Sequence, residues 1–94
     1  MADISITQAH KLSLKKARAA AQKVADKMAE EYDISSEWEG DVLSFRRSGL
    51  NGTLAVSAGA AQLDLTLGFM LKAFASSIEE KVALNMQKVF SGKA

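Results

Sequence analysis

The sequence predicts an α+β domain of two layers: a mostly antiparallel sheet, in the chain order β-α-β-β-β-β-α, with two helices on one face. Three observations predict it. The stretch from Leu14 to Tyr32 and the stretch after Gly68 each carry apolar residues at a 3.6-residue period. Between them, short segments alternate apolar and polar residues, the period of a half-buried strand. Glycine, asparagine and aspartate punctuate that middle region, in a chain with no proline.

The opening "DISIT" places Ile4 and Ile6 on one side and Asp3, Ser5 and Thr7 on the other, a short strand. The first helix follows. Leu14, Ala17, Ala21, Val24, Ala25, Met28 and Tyr32 fall within an arc of about 100° at helical spacing. Ser13 is the expected N-cap, its hydroxyl accepting from an amide of the first turn. The alanine-rich middle adds intrinsic helix propensity.

The segment "WEGDVLSFRRSGLNGTLAV" raises the central question, because its turn formers suit either a phosphate-binding loop or strand reversals. A phosphate loop leads from a strand into a helix N-terminus. Here the glycines lead into more strand: "ISSEWE", "VLSFRR", "TLAVSA" and "AQLDLTL" all read as short strands. Gly40-Asp41, "SGLNG" and Gly59 are then the corners of an antiparallel meander. The first strand could pair beside the last one or beside the second, and the last is the expected neighbour. Each strand has one apolar and one polar face, so the helices should cover a single side.

After Gly68 the residues Leu71, Phe74, Ala75, Ile78, Val82, Met86 and Val89 form a second stripe, which is expected to end near Ser91-Gly92. The 94 residues fit one domain, 1–94, large enough to bury roughly 60–65% of its unfolded surface. With no cysteine there is neither a disulfide nor a thiolate site, and a cytoplasmic location is expected. The N-terminus lacks a signal-peptide pattern, and no apolar run approaches the roughly 20 residues of a membrane span. A net charge of +1 argues against nucleic acid as partner.

Catalytic and metal-binding patterns are missing, so no enzyme, cofactor or metal is expected. His10 is the sole histidine, with no nucleophile or acid at a spacing that nominates it as a base. It reads as a polar residue in the strand-to-helix turn. Arg46 and Asp64 read as cross-strand partners on the polar sheet face, and Trp38 as core or sheet-edge packing. Two departures from local rules nominate surfaces. Lys11, Lys15, Lys16 and Arg18 crowd the start of the first helix, while Glu30, Glu31 and Asp33 crowd its end, the reverse of what the helix dipole favours. The pairs Lys23–Asp26 and Lys27–Glu31 recover part of this cost. Lys15, Lys16 and Arg18 are the candidate anion contact. Phe69, Met70, Leu84 and Phe90 fall off or at the edge of the second stripe and are the candidate partner surface.

"HKLSLKKARAAAQKVADKMAEEY", "WEGDVLSFRRSGLNGTLAVS" and "LDLTLGFMLKAFASSIEEKV" together resemble the polyhydroxyalkanoic acid system proteins, small bacterial proteins encoded among genes for polyester storage granules. The resemblance rests on the His-x-Leu opening, the aromatic-x-Gly-Asp turn, the Phe-x-Arg-x-Gly-x-x-Gly reversals and the Leu-Gly before the last helix. It spans nearly the whole chain and includes no catalytic signature. What it implies is a cytoplasmic role around polyhydroxyalkanoate granules, as a granule-associated or regulatory binding module that contacts the polymer surface or a granule protein. The element order also resembles a shortened helix-grip fold, whose larger members hold apolar ligands between helix and sheet. Two alternatives follow. One is a small-molecule binder with an acyl chain or acyl-CoA between helices and sheet, in a cavity lined by Phe45, Leu54, Leu65 and Phe74. The other is a structural homodimer, for which an unpaired strand edge is the clue.

Overall fold

A computed structural model describes residues 3–90. Five strands form one sheet in the order β1-β5-β4-β3-β2, every neighbouring pair antiparallel. They are β1 (Ile4–Ala9), β2 (Ser35–Glu39), β3 (Val42–Arg47), β4 (Leu50–Ser57) and β5 (Ala60–Leu67). The helices are α1 (Leu14–Tyr32) and α2 (Ala75–Val89), the latter preceded by a 3-10 turn at Lys72–Phe74. As expected, β2 to β5 are a meander, and β1 closes onto β5 with Ile4 opposite Leu65. The expected end of the second helix near Ser91-Gly92 lies outside the described residues.

The alternation of side chains decides which face the helices take. Leu50, Leu54 and Val56 of β4 are buried, whereas Asn51, Thr53, Ala55 and Ser57 between them are exposed. Leu43 and Phe45 on β3 and Leu63, Leu65 and Leu67 on β5 join the same apolar layer. Ala17, Ala20, Ala21, Val24, Ala25 and Met28 of α1 and Ile78, Val82 and Met86 of α2 close it. Alanines on α1 bring its backbone close to the sheet, over β4 and β2, while α2 packs beside β1. Leu14, placed on the buried stripe by its spacing, is 38% exposed.

Both ends of α1 are capped. Ser13 accepts from the Lys16 amide, capping α1 at its start. Asp33 adopts φ 56° and returns its N–H to the Ala29 carbonyl at 3.0 Å, the left-handed stop that helices commonly use. Arg47 of β3 donates to the Tyr32 carbonyl at 2.6 Å. A strand residue thus supplies the cation that the last turn of α1 itself lacks. Lys27–Glu31 forms at 3.6 Å, and Asp26 is held by Gln22.

One corner differs from the sequence reading. Of "SGLNG", only Ser48-Gly49 makes the turn, with Gly49 at φ +84°. Asn51 and Gly52 lie inside β4, paired with Thr66 and Leu65 of β5. Gly52 is there for space, because a Cβ would sit 2.4 Å from a Leu65 methyl and 2.5 Å from the Asp64 carbonyl oxygen. Asn-Gly and a crowded core strand carry the same two letters, and only the neighbouring strand tells them apart.

Candidate functional site

The second helix starts later than its periodicity suggests. Between the end of β5 and Ala75 the chain runs Gly68-Phe69-Met70-Leu71-Lys72-Ala73-Phe74 as a tight turn. The Leu71 and Lys72 amides both donate to the Gly68 carbonyl, at 3.0 and 3.1 Å, and the Phe74 amide donates to the Leu71 carbonyl at 2.9 Å. Leu71 tucks against the core and the rest turns outward. Phe69 is 91% exposed, Met70 81% and Phe74 58%. Single exposed apolar residues are ordinary, but three of them in one seven-residue turn mark a candidate contact surface.

Phe74 is therefore a correction, since its place in the apolar stripe predicted burial. Its residue stands in the 3-10 turn, where the 3.6-residue phase is not yet established. Phe90 is corrected the other way. It is 1% exposed, and its ring stacks on His10 with centroids 5.4 Å apart. Leu84 is 53% exposed but lies elsewhere, beside a groove of about 210 Å³ between α1 and α2 that is also lined by Met28, Tyr32 and Val82. Of the four residues nominated as a partner surface, only Phe69 and Met70 come together, and Phe74 joins them.

His10 is structural. Its Nδ1 accepts from the Leu12 amide at 3.1 Å, which leaves Nε2 to donate to the Ser57 carbonyl at 2.9 Å. The ring ties the end of β1 to the end of β4 and roofs Phe90. Asp64 and Arg46 are not cross-strand partners. Asp64 stands opposite Ser5 and Thr53, and Arg46 opposite Ser35 and Asn51, with β4 between them. Asp64 instead accepts from Ser5 at 2.8 Å and from Gln62 at 3.2 Å, and Gln62 also accepts from Thr7, in a polar patch across β1 and β5.

The cationic residues divide. Arg18 lies over the Trp38 ring, 4.7 Å from its centroid, and 3.9 Å from the Asp41 carboxylate. Lys15 and Arg18 border the same surface groove, and Lys16 is not among the residues that line it. Trp38 is half-buried on the edge strand, as its reading as sheet-edge packing holds. Phe45, Leu54 and Leu65 are at most 1% exposed and packed in the core, whereas Phe74 faces solvent, so the four do not line a shared cavity. Tyr32 borders the interhelical groove, and burial, with the Glu31 carboxylate adding to it, pushes its phenol above the ordinary value of 10.0.

Fold and site together define a small two-layer α+β protein with an apolar turn held rigidly at one end of its sheet. The chain matches, over residues 4–90, the family described as "Putative polyhydroxyalkanoic acid system protein", and it belongs to that family. No curated protein and no solved structure matches it. Among the described residues no helix is long and apolar enough to cross a membrane.

Proposed function

We propose that the protein is a non-catalytic module that attaches to the surface of polyhydroxyalkanoate granules through the turn between β5 and α2. The observation that carries this reading is the exposure of Phe69, Met70 and Phe74 on a turn whose backbone is fixed. A polyester surface offers alkyl chains and ester carbonyls without charge. Aromatic and thioether side chains suit it, each stabilising the contact by about 1.5 kcal/mol or more on full burial. Because the turn is ordered before contact, little conformational entropy opposes attachment. Lys72, 3.9 Å from Asp3, keeps a polar group at the rim of the turn.

Co-sedimentation with native granules tests this. The wild-type protein should pellet with granules, and the triple variant Phe69→Ala, Met70→Ala, Phe74→Ala should stay in the supernatant with an unchanged melting temperature. Wild-type protein that stays in solution, or a triple variant that pellets equally, rules the reading out. A homodimer is the second reading, favoured by the two open sheet edges at β1 and β2. Concentration-dependent sedimentation of the soluble protein would reveal it.

A further inference from the structure

A groove of about 410 Å³ runs between the first turns of α1 and the edge strand β2, lined by Leu14, Lys15, Arg18, Ala19 and Trp38. The Arg18–Asp41 contact places it by the Gly40-Asp41 turn, at the opposite end of β3 from the Ser48-Gly49 turn. Its apolar part is preorganised. Trp38 donates its indole N–H to Gln22 Oε1 at 2.8 Å, and Gln22 is held in turn by donating to Asp26 at 3.0 Å. Arg18 covers one face of the ring. Leu14 is partly exposed beside it.

The charge is one-sided. Lys15 and Arg18 border the groove, the acid that stands beside Arg18 is Asp41, and the first turn of α1 contains no acid. Asp41 answers Arg18 at 3.9 Å, longer than a charged hydrogen bond, with about half of each side chain exposed. An apolar bed with a cationic rim recognises an aliphatic chain that ends in an anion.

We propose that this groove binds a carboxylate-terminated aliphatic chain, with the alkyl part against Trp38 and Leu14 and the carboxylate between Lys15 and Arg18. A polyester of hydroxyalkanoic acids whose acyl end is free, and an oligomer that hydrolysis releases from one, ends in this group. The inference rests on the granule reading only for that source. It places the ligand on the surface beside an edge strand, away from the Phe69 turn and outside the packed core.

Trp38 is the sole tryptophan, so the emission of the full chain reports this groove alone. Decanoate, 3-hydroxydecanoate, decanol and acetate are titrated into the protein. Either carboxylated chain should produce a saturable change below about 1 mM. Decanol, which lacks the charge, and acetate, which lacks the chain, should not. The double variant Lys15→Gln, Arg18→Gln should weaken binding by about tenfold or more, read by calorimetry so that the uncovered indole does not enter. No saturable response to either carboxylate, equal binding of decanol or acetate, or unchanged affinity in the double variant overturns the proposal. Tighter binding of 3-hydroxydecanoate supports it with a polyester end as the source, and equal binding supports it for fatty carboxylates generally. The Phe69, Met70, Phe74 alanine variant should keep the response, so failure of granule attachment and failure of this site are read separately.

Discussion

The Gly68 amide donates to the Gly49 carbonyl at 2.7 Å, so the turn between β3 and β4 is fastened to the first residue of the apolar turn. The approach is close enough that a Cβ on Gly68 would sit 3.1 Å from the Gly49 Cα. Gly49 itself holds φ +84°, which a side chain rarely tolerates. Gly49→Ala should cost about 1–2 kcal/mol through the backbone alone. Gly68→Ala must push the two turns apart. Both changes should lower the melting temperature, and hydrogen exchange should show faster opening at Leu71 and Lys72, whose amides bond to the Gly68 carbonyl.

A harsher result is expected inside β4. Gly52→Ala puts a methyl against both the Leu65 side chain and the backbone of Asp64, and only the first of these can yield. Overpacking of this kind costs about 1–3 kcal/mol or more, because the strand pairing must shift to relieve it. Chemical denaturation should show a clearly lower midpoint for Gly52→Ala than for Gly59→Ala, although Gly59 has the more demanding φ of +97°. No atom lies within 4 Å of a Cβ built at Gly59.

The aromatic residues that precede and follow α2 should differ sharply in what their loss costs. Phe90→Ala removes a core side chain and the face on which His10 stacks, and should destabilise by about 3 kcal/mol or more. His10→Ala leaves the Leu12 amide without its acceptor and the Ser57 carbonyl without its donor, at a cost of about 1–3 kcal/mol. Their effects should be less than additive, since each removes part of the same contact. Phe69→Ala, by contrast, should change stability by no more than about 0.5 kcal/mol. Equal losses at Phe69 and Phe90 would contradict the burial on which the candidate site depends.

Alkaline titration gives a further test. The Tyr32 phenol is raised by burial and then by Glu31, so the folded state holds its proton more tightly than the unfolded state does. The stabilisation from the neutral phenol is complete below the unfolded value near 10.0 and is lost as pH rises through the higher folded value. Tyr32→Phe cannot ionise. Unfolding midpoints of the two proteins should therefore run parallel up to about pH 9 and separate above pH 10, with the wild type losing more stability than the variant. A constant difference across that range would show that burial does not act on this hydroxyl.

Much of the architecture was legible in the sequence, for local reasons. Period-two alternation in "VLSFRR" and "AQLDLTL" recurs in β3 and β5 because a strand must separate its two faces, and one face here is buried. Ser13 caps α1 because the interaction spans only three residues. The candidate site was half legible. Phe69 and Met70 stand out because they lie off the stripe, but Phe74 keeps the stripe's phase, which predicts burial. Phe90 sits at the edge of the stripe and is buried, because a residue at a helix end is placed by what stands over it. His10, eighty residues earlier, does that.

What the sequence determined by itself is the element order, the turn at Gly40, the capped first helix and the one-sided burial of the sheet. Each follows from propensity or periodicity acting over a few neighbours. Only the tertiary structure decided that Gly52 is a packing glycine, that Arg46 and Asp64 stand apart, and that Arg18 shares a groove with Trp38. Those outcomes depend on which strands lie side by side and on how far a side chain reaches across them, and such distances are set when the chain closes on itself.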